Sequence, residues 1–557
     1  MSSNRFTFYL ALFFLLVINV PLNLKLIDLV LADPNLDTGF VLSLPVFFIS
    51  VFFLIFWFFA IPRLLKPVSI LIVLASSIVS YSMYSYGVVF DYSMIQNVFE
   101  TNYGEANAYL NREFVLWLIG MGIVPSILIA RAKIRYKRWP GEMLHKTVGF
   151  IGAVGFIGIL ASLYYADYSA FGRNNAYLSK MIIPTEYLAA TYKYVDRNLM
   201  HEPPAFEQIG LDATIPERQT DKPELMVLVL GETARSQNYQ ANGYSRETNM
   251  FTQDQGLISF QSVESCGTAT AVSVPCMFSR MSQQSFDDRK VRYQDNVIDV
   301  LSHAGINILW LENDGGCKGV CDRVETWTYN SNTDSPWCES EFCDDLILLD
   351  EFDRAVSEVN GVDAVIVLHL NGSHGPTYFE RYGERFRHFM PDCQRSDIQN
   401  CTDEEIVNSY DNTILHTDYL ISELIKKART LDQAWNTSLV YISDHGESLG
   451  ENGIYLHGMP YSLAPLEQRS VPWMFWLSDG IQQADALDMS CIAEQARSAG
   501  FSQDNLFDTL LGLMDVETQV YNASMDTLAP CRSEVFSKTA LSSTKREETA
   551  LRSAKVY

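Results

Sequence analysis

Long apolar segments dominate the first third of the chain and constrain its fold more than any other feature. A helix that crosses a bilayer needs about 20 predominantly apolar residues. The five segments lie at residues 6–26, 40–62, 67–88, 113–130 and 147–166. The sequence therefore predicts an α-helical transmembrane bundle of five spans over residues 1–166.

The first of these segments is the weakest. Polar or helix-breaking residues, Pro21, Asn23, Lys25 and Asp28, interrupt its end. A secretory signal peptide cleaved after residues 30–32 is the alternative interpretation. Cleavage there would leave the topology of the later spans unchanged.

Basic residues between the spans predict the orientation of the bundle. Arg63 and Lys66 lie between the second and third spans, and six more Lys and Arg residues lie between the fourth and fifth. Loops rich in Lys and Arg remain in the cytoplasm. Everything after residue 166 is then outside, which in a bacterium with two membranes is the periplasm.

The cysteines indicate the same compartment independently. All ten follow residue 265, and proximity suggests the pairs 266/276, 317/321, 338/343, 393/401 and 491/531. An even number of closely spaced cysteines favours disulfides and an oxidising compartment. A four-cysteine zinc site within 317–343 is the alternative, although its spacings depart from the usual C-x2-C.

The remainder of the chain has ordinary globular composition and an acidic excess. The formal net charge of the whole chain is −25, which argues against nucleic acid as a partner. Residues 167–222 mix aromatic and basic side chains, as amphipathic segments on a membrane surface do. Residues 223–557 are expected to form the catalytic domain.

Short apolar runs alternate with longer mixed stretches from residue 224 onward. The strand candidates are 225–230, 306–311, 364–370 and 438–443, and the helix candidates include 294–303 and 406–428. Such alternation favours a mainly parallel central sheet with helices on both faces. We therefore expect an α/β sandwich.

Each of three predicted strands ends at a potential metal ligand beside a glycine. Glu232 follows the first strand, His374 follows the third, and Asp444 and His445 follow the fourth. Ligands bind beyond the carboxyl ends of the strands in parallel sheets. Mixed nitrogen and oxygen ligands suit zinc best, with manganese as the alternative.

A further histidine beside a glycine, a group of hydroxyls and a lysine extend this candidate site. His457 is the third histidine beside a glycine, and the other six of the nine are expected to be structural or exposed. The hydroxyl-rich turn between Cys266 and Cys276 offers three nucleophiles, Thr268, Thr270 and Ser273. A metal could activate one of them, and Lys318 could add positive charge near a phosphate.

The loop at 89–112 carries a possible headgroup-binding face. Asn97, Thr101 and Glu105 are spaced i, i+4, i+8, and on one helix they would line one face. They lie just outside the membrane, where a phospholipid amine would lie. A solvated helix face is the alternative interpretation.

Long strings of residues make the chain closely resemble the lipid A phosphoethanolamine transferases, a family that includes transferable colistin-resistance enzymes. The strings, in family order, are QNVFETNYGEA, GETAR, CGTATAVSVPCMFS, KGVCDR, NGSHGP, SDHGESLGENGIYLHGMP and EQRSVP. The resemblance covers nearly the whole chain. It implies a periplasmic alkaline-phosphatase-like domain on a five-span anchor in the inner membrane.

The resemblance also implies a role for each matching position. Thr270 would be the nucleophile that accepts phosphoethanolamine from phosphatidylethanolamine, releasing diacylglycerol, and a lipid A phosphate would be the acceptor. One tight zinc ion would be held by Glu232, Thr270, Asp444 and His445. A phosphoryl group or a second zinc would contact His374 and His457, assisted by Lys318. The donor headgroup would bind Asn97, Thr101 and Glu105.

Other functions remain open at this point. Transfer of phosphoethanolamine or phosphoglycerol to a core sugar, a glycan or a protein is the nearest alternative. Sulfatase activity is disfavoured because no C-x-P-x-R string is present to form a formylglycine. A membrane-anchored sensor with a degenerate site is disfavoured by the intact set of predicted ligands. We expect a monomer among membrane lipids.

Overall fold

A computed structural model describes residues 1–33, 36–101, 103–218, 222–338, 343–359, 361–498 and 500–532, without the side chains of residues 103–105. The chain divides into two compact units. The first consists of Met1–Ile95, Tyr109–Asp196 and Asn452–Tyr455. The second consists of Gln96–Ala108, Arg197–Glu451 and Leu456–Tyr557.

Helices form where the apolar segments predict them. They are α1 (Ser3–Phe13), α2 (Val20–Ala32), α3 (Thr38–Phe58), α4 (Leu65–Tyr86), α5 (Tyr92–Glu100), α6 (Tyr103–Ala108), α7 (Arg112–Trp117), α8 (Val124–Arg131), α9 (Trp139–Leu163), α10 (Tyr165–Asn174) and α11 (Thr185–Leu199). A π-helical turn, Leu118–Ile123, joins α7 to α8. Helices long and apolar enough to cross a membrane are Thr38–Phe58, Leu65–Tyr86, Arg112–Arg131 and Trp139–Leu163, and α1 with α2 makes a fifth if the bent pair counts as one span.

The bend between α1 and α2 measures 66° and precedes Pro21, and the polar residues expected to interrupt the first segment lie within α2. Asn19 lies at the bend, where its side chain donates to the carbonyl of Ile183 over 2.7 Å and accepts from the N–H of Ile183 over 2.9 Å. Ser80 donates to the carbonyl of Ile18 over 2.6 Å. These bonds stabilise the bend because lipid offers backbone polar groups no partner.

The second unit is built on a mainly parallel sheet, as the sequence predicts. Its strands are β1 (Glu224–Gly231), β2 (Ile258–Phe260), β3 (Val263–Glu264), β4 (Asn307–Glu312), β5 (Glu325–Thr328), β6 (Ala364–His369), β7 (Asn436–Ser443), β8 (Ser448–Leu449), β9 (Tyr455–Leu456), β10 (Trp473–Leu477) and β11 (Phe501–Ser502). The central sheet has the order β2-β10-β7-β1-β6-β4-β5. Pairing is parallel from β7 to β5, whereas β10 is antiparallel to both its neighbours.

Helices cover this sheet. They are α12 (Thr270–Met277), α13 (Val297–His303), α14 (Leu346–Glu358), α15 (Asp403–Thr430), α16 (Leu466–Arg469), α17 (Asp479–Ala484), α18 (Met489–Gln495) and α19 (Leu506–Leu513). The predicted helices at 294–303 and 406–428 correspond to α13 and α15. Strands β1, β6 and β7 are buried along their whole length, as parallel strands are when helices cover both faces.

Asn296 holds the start of α13 and links it to the loop closed by Cys317 and Cys321. Its side chain accepts from the N–H of Ile298 over 2.8 Å and donates to the carbonyl of Val320 over 2.9 Å. Asn296→Ala should lower Tm in thermal unfolding, because losing an N-cap costs about 0.5–2 kcal/mol and an unpaired buried carbonyl costs about 1–3 kcal/mol.

Asn332→Ala provides the matched control for this substitution. Asn332 is exposed, and exposed substitutions away from caps and buried bonds usually change stability by less than about 0.5 kcal/mol. Equal Tm values for the two variants would contradict the role given to Asn296.

Candidate active site

The parallel strands bring the predicted ligands to one edge of the sheet. Strand β1 pairs with β7, and Gly231 lies opposite Ser443. Glu232 and Asp444 follow these two residues, so both lie just beyond the carboxyl ends of their strands, where parallel sheets bind ligands.

Four side chains converge at this edge. The hydroxyl oxygen of Thr270 lies 3.3 Å from both carboxylate oxygens of Glu232 and 3.4 Å from Nε2 of His445. The same Nε2 lies 3.3 Å from Oδ2 of Asp444 and 3.5 Å from Oε1 of Glu232. All four residues are buried. The arrangement places four potential ligand atoms around one point.

Backbone groups bind one side-chain atom each of Asp444 and His445, so the atoms that face the cluster remain available to bind a cation. Oδ1 of Asp444 accepts from the N–H groups of Thr233 and His445, over 3.0 and 2.6 Å. Oδ2 of Asp444 has no hydrogen-bond partner among the described residues. Nδ1 of His445 lies 2.9 Å from the carbonyl of Gly446, which fixes a proton on Nδ1 and leaves the Nε2 lone pair facing the cluster.

The geometry of the cluster fits a tetrahedral cation. Ligands at about 2.0–2.1 Å from a zinc ion in a tetrahedron lie about 3.3–3.4 Å from one another. Thr270 lies 3.3 and 3.4 Å from Glu232 and His445, and His445 lies 3.3 and 3.5 Å from Asp444 and Glu232. The unpaired Oδ2 of Asp444 points into the same space, so the residues fit a divalent cation with mixed nitrogen and oxygen ligands.

Burial makes this cluster electrostatically unfavourable without a cation. Removal from water, together with the charge of Asp444, raises the pKa of the Glu232 carboxyl. Burial, with the nearby His457, lowers the pKa of His445 to about 4. The imidazole is therefore neutral at physiological pH and has a lone pair to donate.

The structure distinguishes the three hydroxyls of the turn. Thr268 donates to the carbonyl of Met459 over 2.5 Å, and Ser273 donates to the carbonyl of Asp444 over 2.5 Å. Both hydroxyls are thus engaged with the backbone. Thr270, the first residue of α12, is the one whose hydroxyl faces the carboxylates.

Gln503 holds this turn against the sheet, and no sequence pattern singled it out. Its Nε2 donates to the carbonyls of Ser443 and Asp444, both over 2.7 Å. Its Oε1 accepts from the N–H of Cys266 over 2.6 Å and from the hydroxyl of Ser273 over 3.0 Å. This buried amide therefore connects the turn that carries Thr270 to the residue that follows β7.

The histidines beside glycines lie next to the cluster. The ring of His457 is 4.5 Å from that of His445 and 5.2 Å from that of His374, centre to centre. Nδ1 of His457 lies 3.3 Å from Oε1 of the buried Glu447. Burial lowers the pKa of both His374 and His457, and at His374 the charge of Lys318 is a smaller contribution in the same direction. Lys318 is half-buried and has a φ of 51°.

Every cysteine is in a disulfide. The bonds join Cys266 to Cys276, Cys317 to Cys321, Cys338 to Cys343, Cys393 to Cys401, and Cys491 to Cys531. The pairing inferred from proximity is thus confirmed, including the distant pair. The alternative of a four-cysteine zinc site within 317–343 is wrong, because disulfide sulfurs have no thiolate to bind a metal.

The predicted headgroup face does not lie on one continuous helix. Helix α5 ends at Glu100 and α6 begins at Tyr103, so the i, i+4, i+8 spacing crosses a break. The hydroxyl of Thr101 donates to the carbonyl of Asn97 over 2.7 Å. The Glu105 side chain lies outside the described residues.

Gln96 connects this segment to helix α12 within the second unit. It is buried, and its Nε2 donates to the carbonyl of Ala271 over 3.1 Å. Glu100, one turn later, forms an ion pair with Arg292. These contacts place the segment carrying Asn97 against the start of α12.

Family models match both halves of the chain. A model described as phosphoethanolamine transferase EptA/EptB matches residues 48–199. A model described as sulfatase matches residues 224–516. The second match concerns the domain, since the chain has no C-x-P-x-R string.

Curated relatives cover most of the chain. Phosphoethanolamine transferase EptA of Escherichia coli K12 is 40% identical over 88% of this chain and 90% of its own length. Phosphatidylethanolamine transferase Mcr-1 of Escherichia coli is 35% identical over 86% of this chain and 89% of its own length.

Solved structures show the same architecture. The integral membrane protein lipooligosaccharide phosphoethanolamine transferase A of Neisseria meningitidis has a TM-score of 0.89 and 36% identity, over 95% of this chain and 99% of that one. Its soluble domain, solved separately, has a TM-score of 0.57 and 41% identity, over 59% of this chain and 99% of that one. The predicted localisation is confirmed: the protein spans the inner membrane several times, and its catalytic domain is periplasmic. The chain belongs to the lipid A phosphoethanolamine transferase family, within the alkaline-phosphatase-like superfamily.

Proposed function

We propose that the protein transfers phosphoethanolamine from phosphatidylethanolamine to a phosphate of lipid A, through a covalent intermediate on Thr270. The observation that supports this most directly is the contact of the Thr270 hydroxyl with Glu232 and His445, at 3.3 and 3.4 Å. A buried hydroxyl beside a carboxylate and an imidazole is the arrangement that nucleophilic catalysis requires. The donor group is proposed from the relatives, a phosphoethanolamine transferase and a phosphatidylethanolamine transferase.

Zinc is the cation we propose for the cluster, held by Glu232, Thr270, Asp444 and His445. Bound there, it supplies Lewis-acid chemistry, lowering the pKa of a hydroxyl it contacts and offsetting negative charge on a phosphoryl group. Asp444 and His445 are held in place by the backbone bonds described above. The protein therefore presents its ligands in a fixed geometry rather than assembling them during the reaction.

The first half-reaction loads the protein. The Thr270 oxygen forms a bond to the phosphorus of phosphatidylethanolamine, and the bond from phosphorus to the diacylglycerol oxygen breaks. The hydroxyl proton of Thr270 passes to that departing oxygen, and diacylglycerol leaves. His374 and His457 lie beside the cluster as neutral imidazoles, so they can hydrogen-bond the phosphoryl oxygens, and Lys318 adds positive charge.

The second half-reaction unloads it. An oxygen of a singly protonated lipid A phosphate forms a bond to the same phosphorus, the bond to Thr270 breaks, and the proton of the attacking phosphate passes to the Thr270 oxygen. The capped phosphate carries an amine and less net negative charge. Cationic peptides such as polymyxins, which bind the surface by ion pairing, would then bind less well.

Thr270→Ala should abolish transfer, because no hydroxyl remains to form the intermediate. The expected loss in kcat/KM is at least about 1,000-fold, with zinc content largely retained through the other three ligands. Thr268→Ala is the matched control, since that hydroxyl contacts a backbone carbonyl, and it should retain activity.

Mass spectrometry tests this prediction on lipid A and on the protein itself. Lipid A from cells expressing the wild type should gain a phosphoethanolamine mass that Thr270→Ala cells lack. Purified wild type given phosphatidylethanolamine alone should gain the same mass on the peptide that contains Thr270. An added mass on core sugar, glycan or protein, with unmodified lipid A, would replace the proposed acceptor. Transfer by Thr270→Ala at the wild-type rate would refute the intermediate.

Zinc removal should destabilise the protein more at high pH. Burial and Asp444 raise the pKa of Glu232 above its ordinary 4.5. A carboxyl whose pKa is raised in the folded state contributes its full stability below the ordinary pKa and loses it as pH rises. The Tm difference between zinc-loaded and zinc-depleted protein should therefore widen between about pH 4.5 and about pH 7.

Glu232→Gln tests the origin of that pH dependence. The amide does not titrate, so the widening with pH should shrink markedly in this variant. Differential scanning calorimetry of the full-length protein in detergent provides the measurement. A Tm difference that is constant with pH in the wild type would contradict the assignment.

The segment around α5 is proposed to bind the donor headgroup. Replacing Asn97, Thr101 and Glu105 together by alanine should raise KM for phosphatidylethanolamine about 10-fold or more, as expected for lost hydrogen bonds to a charged group. The kcat should change much less. Ser93→Ala on α5 is the control, because that hydroxyl bonds Asp91. An unchanged KM would mean that this segment is simply a solvated surface.

A further inference from the structure

His369 is a buried histidine to which the proposed reaction assigns no role. It is the last residue of β6, lies opposite Glu312 of β4, and has no exposed surface. Its Nδ1 lies 2.8 Å from Oε2 of Glu312. Sequence reasoning grouped His369 with the structural or exposed histidines, because no glycine stands beside it.

Glu312 is held as an ionised acceptor. Its Oε1 accepts from the N–H groups of Asp314 and Gly316, over 2.8 and 3.1 Å, and its Oε2 also accepts from Nε1 of Trp310 over 2.9 Å. These three N–H donors compensate the carboxylate for its burial. A carboxylate so occupied fixes a proton on Nδ1 of His369, so a neutral His369 has its lone pair on Nε2.

That Nε2 atom faces carboxylates. Among the described residues it has no hydrogen-bond partner, and Oδ2 of Asp314 is 3.7 Å away. One ligand atom from each of Glu232, Asp314 and His369 lies within 4.8 Å of the other two, and all three residues are buried. A buried imidazole lone pair without a hydrogen-bond donor, next to a buried carboxylate, is unfavourable unless a positive charge lies near both.

We propose that Glu232, Asp314 and His369 form a second divalent-cation site, with Glu312 as the residue that orients His369. Two carboxylates and an imidazole favour Zn²⁺ or Mn²⁺. A carboxylate bonded to the other nitrogen of a ligating histidine is the usual support of such a ligand. This site differs from the cluster around Thr270 and from any ion at His374 and His457.

Sheet order explains why Glu232 can belong to both sites. Strand β1, which Glu232 follows, lies between β7 and β6, and β6 lies beside β4. Asp444 follows the strand on one side of β1, whereas His369 ends the strand on the other side and Asp314 follows the strand beyond it. A cation on each side of a bridging carboxylate would restrict its rotation, as a fixed contact to Thr270 requires.

A proton on Nε2 of His369 is the alternative to a cation at this position. If Nε2 of His369 were protonated, the imidazolium would pair with Glu312 and Asp314 without a metal. The 3.7 Å separation from Asp314 is too long for a hydrogen bond. It is compatible with two ligands of one cation, which lie roughly 3–3.7 Å apart when each bond is about 2.0–2.2 Å.

Metal content distinguishes these possibilities without using activity. Full-length protein in detergent is stripped with a chelator, reloaded with Zn²⁺, dialysed and analysed by mass spectrometry for zinc per chain. We expect about two ions for the wild type, and about one for Asp314→Asn and for His369→Gln, since each removes one ligand. Glu312→Gln should weaken the affinity for the second ion about 10–100-fold.

Controls separate this proposal from the proposed function. Asp295→Asn and His303→Gln change another Asp–His pair, 3.9 Å apart, and should retain both ions. Asp444→Asn should lose the ion at Thr270 and retain the other. One ion in the wild type, lost in Asp444→Asn but kept in Asp314→Asn, would overturn the second site and leave the proposed function intact. One ion in the wild type, lost in Asp314→Asn but kept in Asp444→Asn, would support the second site and contradict the cation proposed at Thr270.

A measurement on the wild type tests the second site even if the variants fail to fold. Crystals of the reloaded protein should give an anomalous difference peak at the zinc edge among Glu232, Asp314 and His369. A peak at Thr270 alone would show that a proton occupies the second position. A second peak at His374 and His457 instead would also overturn the proposal.

Discussion

Buried negative charge at the carboxyl edge of the central sheet is the constraint on which the rest of the molecule depends. Glu232 and Asp444 have no exposed surface, and two neighbouring carboxylates away from water repel each other strongly. Parallel pairing of β1 with β7 makes their approach unavoidable, because residues that follow neighbouring strands meet at one level. A sheet of this order is therefore favourable with these residues only if a proton or a bound cation offsets their charge.

Thr270, the proposed nucleophile, is positioned by groups that take no part in the proposed reaction. Gln503 uses both ends of its amide, so the turn after Cys266 and the strand end before Asp444 cannot move independently. The Cys266–Cys276 disulfide closes the same turn. Thr270 then needs little rearrangement to meet a phosphorus atom, which is the contribution that rigid positioning makes to group transfer.

Sequence reasoning proposed the ligands but not the residues that support them, and the reason is physical. A ligand such as Asp444 has a local signature, a polar residue with a glycine directly after an apolar strand. Gln503 has none, since its four partners come from distant segments. His369 and Glu312 meet because β6 lies beside β4, and strand order is not encoded in local pattern. The break between α5 and α6 was likewise invisible in the spacing of Asn97 and Thr101.

The backbone around Glu232 shows how tightly this edge is specified. Thr233 has a φ of 59°, an unusual conformation for a β-branched residue, which persists only where the surroundings impose it. Its N–H donates to Asp444, and its carbonyl accepts from the hydroxyl of Tyr410 over 2.8 Å. A β-carbon on Gly372 would lie 2.7 Å from the carbonyl oxygen of Glu232. Strain and close packing thus hold Glu232 between the two proposed cation sites, and any shift of this backbone would disturb both sites at once.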